Sequence, residues 1–315
     1  MSRILVIGAC GQLGTELTQR LMKRYGKDNV IPSDIKDALG IYKDHTFETI
    51  DVLDKARLLQ IIKDHKVDQV YNLAAILSAK GENDPLFAWD LNMNGLLNVL
   101  EIARTEKLNR IYWPSSIAVF GPGTPKQMTP QDTITDPNTV YGISKLAGER
   151  WCQYYFEKYG VDVRSIRYPG LIGWKSQPGG GTTDYAVDIY HKAIKGEPFD
   201  CFLNKDTYLP MMYMDDAIRA TMELMEADKK AIHVRSSYNV SAMSFSPEEI
   251  HKAIKIHYPN FKITYKPDFR QEIASSWPQS IDDTEAREEW GWDPKFDLGK
   301  MTEEMLANLA GETVA

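Results

Sequence analysis

The chain opens with Arg3-Ile4-Leu5-Val6-Ile7-Gly8-Ala9-Cys10-Gly11-Gln12-Leu13-Gly14. The first part is a continuous apolar run, the pattern of a strand buried on both faces. It runs into glycines spaced GxxGxxG, and Leu13, Leu17 and Leu21 then recur on one helical stripe. Strand, glycine turn and helix together form the context a dinucleotide-binding turn needs. Gly8 permits the tight turn, Gly11 lets backbone approach a pyrophosphate, and Gly14 allows the helix to pack closely. Gln12 and Leu13 belong to the same turn and count with it as cofactor contacts. The helix start offers unpaired N–H groups and the positive end of its dipole to phosphate.

Working outward, a second strand over 29–33 ends in Asp34, about 20 residues past Gly14. A carboxylate there accepts hydrogen bonds from the ribose hydroxyls of NAD and repels the 2′-phosphate of NADP. A third strand over 45–51 carries Asp51 and Val52 at its end. A helix over 55–65 follows. The fourth strand, 68–75, ends in Leu73-Ala74-Ala75, small enough for a nucleotide to lie against the backbone. Ser78 follows in a loop, and a helix over 86–105 carries Asn92. A fifth strand, 109–116, ends in Pro114-Ser115-Ser116. A helix over 138–159 and a sixth strand over 162–168 follow, the latter ending Tyr168-Pro169-Gly170-Leu171-Ile172.

This alternation predicts an α/β fold: a Rossmann-type doubly wound parallel sheet, with these strand ends gathered on one ligand-binding edge. Residues 1–173 read as the NAD-binding domain, with 211–228 packing back onto it. Residues 174–210 and 229–315 read as a smaller C-terminal α/β substrate-binding region. It holds helices over 184–195, 216–227, 246–257 and 298–309, and strands over 210–215 and 234–242. The glycine-rich segment 179–183 reads as a polar loop, either a lid that closes on a ligand or a surface turn.

Composition narrows the chemistry. The chain has 315 residues, 43% hydrophobic and 26% charged, with a net charge of −7. That charge disfavours non-specific binding to nucleic acid or an anionic membrane. No run approaches the ~18 apolar residues of a membrane helix. Cys10, Cys152 and Cys201 lie far apart, and the histidines lack metal-ligand spacing, so neither a disulfide framework nor a metal is expected. A cytoplasmic setting is the simplest expectation.

Tyr141-Gly142-Ile143-Ser144-Lys145 places a phenol and an ammonium on one helix face, one turn apart. Tyrosine ordinarily titrates near pH ~10, and bringing it to ~7 requires about 4 kcal/mol of differential stabilisation. A lysine beside a bound cationic cofactor can lower the tyrosine pKa in that direction. Ser116 or Ser115, at a strand tip one loop earlier, would hold a substrate hydroxyl while the Tyr141 phenolate removes its proton. Lys145 would also hold the nicotinamide ribose, and the nicotinamide carries the hydride.

Gly8-x-x-Gly11-x-x-Gly14, Asn72-Leu73-Ala74-Ala75, Pro114-Ser115-Ser116-x-x-Val119-Phe120-Gly121 and Tyr141-x-x-x-Lys145 together resemble the extended short-chain dehydrogenase/reductase superfamily. Within it the chain is similar to the short-chain-type L-threonine 3-dehydrogenases. That likeness rests on Gly121–Lys126, Tyr168–Gly173, Gly179–Ala186 and Trp277–Asp283. The resemblance implies NAD-dependent oxidation of the L-threonine β-hydroxyl to 2-amino-3-oxobutyrate, on the route to glycine. It implies Tyr141 as general base, Lys145 as its partner, and Ser116 as orienting hydroxyl ahead of Ser115. Ser78, Gly180, Gly181, Thr182, Thr183 and Trp277 are the implied substrate contacts. A homodimer built on the helices near 86–105 and 138–159 is implied as well.

A sugar-nucleotide epimerase or dehydratase shares these motifs but must hold a nucleoside diphosphate. The stretch from Trp174 to Leu209 has no arginine and only four lysines, which suits a small zwitterion better. A non-catalytic NAD sensor would not need the tyrosine–lysine pair.

Overall fold

A computed structural model describes residues 2–314 apart from Leu39, Ser176, Pro178 and Gly180, and the side chains of these residues except Ala79 and 312–314. The chain begins with β1 (Ile4–Ile7), α1 (Gln12–Tyr25), β2 (Val30–Asp34), β3 (Glu48–Thr49), α2 (Lys55–Asp64) and β4 (Gln69–Asn72). Then come α3 (Ser78–Gly81), α4 (Pro85–Thr105), β5 (Arg110–Tyr112), β6 (Ser115–Ser116), α5 (Val140–Tyr159), β7 (Val163–Arg164), β8 (Ile166–Tyr168) and β9 (Gly170–Ile172).

The main sheet runs β3-β2-β1-β4-β5-β7 with every neighbouring pair parallel. Along β1, Ile4 and Val6 enter one core cluster, while Leu5 and Ile7 enter another. Alternate side chains of a strand point to opposite faces, so both faces of this sheet are buried. This is the doubly wound arrangement expected from the alternation.

Two predicted strands are broken. Pro114 has no N–H to give a ladder, and after Trp113 the fifth strand resumes as β6. The sixth is interrupted at Ser165, so β5 pairs with β7 while β6 pairs with β8 in register Ser115↔Arg167 and Ser116↔Tyr168. The third strand shrinks to Glu48–Thr49, an edge pairing of two residues. Ser78 stands at the start of α3, not in a loop.

The rest of the chain supplies α6 (Tyr185–Ile194), β10 (Phe199–Cys201), β11 (Leu209–Tyr213), α7 (Met214–Glu226), β12 (Tyr238–Asn239) and β13 (Met243–Phe245). It closes with α8 (Pro247–His257), β14 (Ile263–Tyr265), α9 (Arg270–Ser276), α10 (Thr284–Trp290) and α11 (Leu298–Val314). The strand expected over 234–242 is only β12, which pairs with β8. The pairs β9–β11 and β10–β14 are parallel, and β13 joins β11 antiparallel. Helix α7 packs against α1 and shares its core cluster. Most of the other C-terminal elements bury their apolar faces in a third cluster with Ile117–Phe120, Tyr185, Tyr190 and Trp277. That core therefore reaches the loop following Ser116.

Candidate active site

Gly8 adopts φ +85, a conformation L side chains rarely take. A Cβ on Gly14 would stand 2.0 Å from the Gly8 carbonyl oxygen, so only glycine lets α1 start this close to β1. Gly11 caps α1 without a side-chain hydrogen bond, and the first turn carries no acidic residue. The N–H groups at this end thus face the cleft free of local negative charge, a fit for a pyrophosphate. Asp34 ends β2 next to the turn. Its carboxylate accepts from Cys10 N at 3.0 Å and from Lys36 N at 3.0 Å. Asp34 is not among the residues that line the cleft. These features fit NAD.

One cleft collects most of the predicted residues. Gly8, Gly11, Gln12, Leu13, Gly14, Leu73 and Ala75 line the cofactor side. Ser115, Ser116, Tyr141, Lys145, Tyr168, Pro169, Gly170 and Leu171 form its floor. Ser78, Gly181, Thr182, Thr183 and Trp277 close the opposite wall, joined by Leu77 and Asp184, which the sequence reading missed. The Asp184 carboxylate accepts from Gly181 N at 2.8 Å and so shapes that wall. Thr182 is buried, and its hydroxyl has no hydrogen-bond partner among the described residues. A buried orphan hydroxyl on the wall of a cleft is suited to a polar ligand. Gly180 lies outside the described residues.

Several expected contacts fall elsewhere. Asn92 accepts from Ile76 N at 2.9 Å and donates to Ser144 Oγ at 3.1 Å, so its amide braces α4 against α5. Val52 is buried against Gly95, and its carbonyl accepts from Asn98. Asp51 turns to cap Leu53 N. Ala74 and Ile172 pack in core clusters away from the cleft lining. The Tyr168 hydroxyl points into the core, where Tyr112 donates to it at 2.6 Å, leaving its backbone for the cleft. Ser115 is buried, and its hydroxyl donates to Glu149 Oε1 at 2.7 Å. That leaves Ser116 as the hydroxyl beside Tyr141.

Helix α5 delivers Tyr141 and Lys145. Thr139 caps it by accepting from Gly142 N at 3.1 Å, which starts the helix just before Tyr141. Ser116 closes its own turn by accepting from Ala118 N at 3.2 Å, and it lines the cleft floor beside the Tyr141 phenol, near enough to oppose the rise in the tyrosine pKa. Lys145 Nζ donates to the Pro114 carbonyl at 2.5 Å and sits 4.4 Å from the Trp113 ring centroid and 5.5 Å from that of Tyr141.

Without a bound cofactor, Lys145 does not bring the tyrosine pKa down. Burial pushes Tyr141 up to about 12, only partly opposed by the neighbouring Ser116 hydroxyl. Burial pulls Lys145 down to about 7, opposed by Cys152 and Glu149. Desolvation penalises both charged forms and is the largest influence on each in the cleft without ligands. The pair is therefore poised to respond to a charge brought in by a ligand.

The chain is similar over its length to several known proteins. An uncharacterized epimerase/dehydratase of Staphylococcus saprophyticus is 52% identical over 100% of this chain and 99% of its own. The holo form of a GalE-like L-threonine dehydrogenase from Cupriavidus necator is 55% identical, with TM-score 0.96 over 98% of this chain and 99% of that one. A monomeric L-threonine 3-dehydrogenase from a metagenome is 52% identical, with TM-score 0.95 over 98% and 99%. A family model matches residues 4–241, and the chain belongs to the NAD dependent epimerase/dehydratase family.

Proposed function

We propose that the chain is an NAD-dependent oxidoreductase that converts L-threonine to 2-amino-3-oxobutyrate, a step in threonine breakdown towards glycine. The observation carrying this reading is the Ser116–Tyr141–Lys145 group at the floor of a cleft whose cofactor side fits NAD and whose other wall is Gly181–Asp184 and Trp277. Its likeness to chains named as L-threonine dehydrogenases supports the substrate.

Ser116 holds the substrate β-hydroxyl against Tyr141. The Tyr141 phenolate takes the hydroxyl proton. Lys145, anchored by Pro114, supplies the positive charge that favours the phenolate. NAD held in the cleft would supply the acceptor for the hydride from the β-carbon. Gly8, Gly11, Gln12, Leu13 and Gly14 would hold its pyrophosphate and Asp34 its ribose. Ser78, Gly180, Gly181, Thr182, Thr183 and Trp277 would contact the amino acid. In this reading 1–173 with 211–228 form the cofactor part, and 174–210 with 229–315 the substrate part.

Among the described residues lining the cleft there is no arginine, which disfavours the sugar-nucleotide alternative. We further propose a cytoplasmic homodimer. Leu86, Phe87 and Trp89 on α4 and Ile143, Trp151 and Tyr154 on α5 are exposed, an apolar face suited to a second copy. No helix among the described residues is long and apolar enough to cross a membrane.

The test is NADH formation by the purified protein with L-threonine, D-threonine, L-allo-threonine, L-serine and UDP-sugars. Turnover with L-threonine at alkaline pH is expected. Its absence refutes the substrate, and better use of NADP than NAD refutes the role of Asp34.

A further inference from the structure

Glu149 lies one helical turn beyond Lys145 and is fully buried. Such a burial is costly unless the charge is paired, and both carboxylate oxygens are in use. Oε1 accepts from Ser115 Oγ at 2.7 Å and from Arg167 Nε at 2.9 Å, and Oε2 accepts from Arg167 Nη2 at 2.8 Å. Arg167 is the register partner of Ser115 across β6 and β8. Its remaining nitrogen donates to the Gln131 carbonyl at 2.9 Å and to Asn239 Oδ1 at 3.1 Å, so the guanidinium is fixed from behind.

The consequence is a clamp. Lys145 grips Pro114 through its carbonyl, and Glu149 grips Ser115 through its hydroxyl, both from one face of α5. The next residue is Ser116, whose hydroxyl meets Tyr141 on the first turn of the same helix. Two successive residues of the strand are thus tied to the helix that carries the proton acceptor.

We propose that Glu149 is a positioning residue for the proton-transfer group: through Ser115 it holds Ser116 beside Tyr141, and it sets a carboxylate one helical turn from Lys145. This rests on the proposed threonine oxidation for its kinetic effect. The charge effect has a defined direction. The groups facing this turn are Cys152 and Glu149 on α5, Arg167 behind Glu149 on β8, and Asp184 across the cleft, while α4 presents the uncharged Asn92. Loss of the Glu149 charge lets Lys145 give up its proton more readily, and the Tyr141 phenolate then forms at higher pH.

Two variants separate the clamp from the charge. Ser115→Ala removes one hydrogen bond and leaves the Glu149–Arg167 ion pair intact. Glu149→Gln keeps an acceptor and removes the charge. Tyr141 ionisation is read as phenolate difference absorbance, wild type minus Tyr141→Phe, titrated in the NAD complex without threonine. Kinetics with L-threonine are measured in parallel. Ser115→Ala should lower kcat roughly tenfold, the scale of one hydrogen bond, with KM, NAD affinity and the titration midpoint unmoved. Glu149→Gln should raise the midpoint by about one pH unit. If Glu149→Gln does not fold, Glu149→Gln with Arg167→Met removes the stranded cation as well, and the midpoint should rise by less, because the cation behind Glu149 is lost with it. Wild-type kcat in Ser115→Ala overturns the clamp, and an unmoved midpoint without the Glu149 charge overturns the hold on Lys145. The titration needs no threonine, so failure to oxidise threonine refutes the proposed function separately.

Discussion

Lys145 Nζ donates to the Pro114 carbonyl oxygen at 2.5 Å, and this bond ties the middle of the α5 active face to the strand end before Ser116. The ammonium is 2% exposed, and burial lowers its pKa to about 7. A lysine buried there costs the fold stability, whatever it contributes to the proposed reaction.

That trade-off is measurable. The folded value lies below the ordinary lysine value of about 10.4, so the unfolded chain binds this proton more tightly. By linkage, the Lys145 contribution makes the ligand-free chain more stable as pH rises from about 7 towards about 10. Lys145→Met should remove turnover yet stabilise the ligand-free chain by about 1–3 kcal/mol near pH 7, where the cost of a buried cation is present. Urea unfolding of both proteins at several pH values checks this. A destabilised Lys145→Met would mean that the Pro114 and Trp113 contacts outweigh desolvation.

Tyr141→Phe should lower kcat by about 10²–10⁴-fold and leave NAD affinity near the wild-type value. Burial pushes the Tyr141 phenol up to about 12 without ligands, and the proposed base is its phenolate. Wild-type turnover should therefore rise with pH. Initial rates across a pH series, with NAD binding followed by fluorescence, are the measurement. Falling activity towards alkaline pH would remove Tyr141 as the base.

Asp34→Ser removes the charge beside the glycine turn. The expected result is a rise in KM for NAD of roughly tenfold together with measurable use of NADP, because the carboxylate both accepts ribose hydroxyls and repels a 2′-phosphate. Competition kinetics with the two cofactors reports it. Asp34 also holds Cys10 N and Lys36 N, so a thermal melt is run alongside to detect loosening of the turn.

The exposed face of α4 and α5 predicts the oligomeric state. Sedimentation should give twice the chain mass for the wild type, and the double variant Leu86→Asp/Trp151→Asp should sediment as one chain. A monomeric wild type would leave this face to another role.

The local rules of the chain settled much of this protein. A continuous apolar strand followed by spaced glycines and a leucine stripe specifies β1, the turn and α1. A phenol and an ammonium four residues apart specify one face of α5. These features depend on backbone geometry and side-chain period, which neighbouring residues determine. Tertiary structure decided which of two adjacent serines faces the tyrosine. Pro114 breaks the ladder, β6 pairs with β8, and a buried Glu149–Arg167 pair takes Ser115, leaving Ser116 for Tyr141. It also decided that Asn92 and Val52 are packing residues and that Asp184 shapes the cleft. The pKa values of Tyr141 and Lys145 belong to this second class, because desolvation depends on every element packed around them.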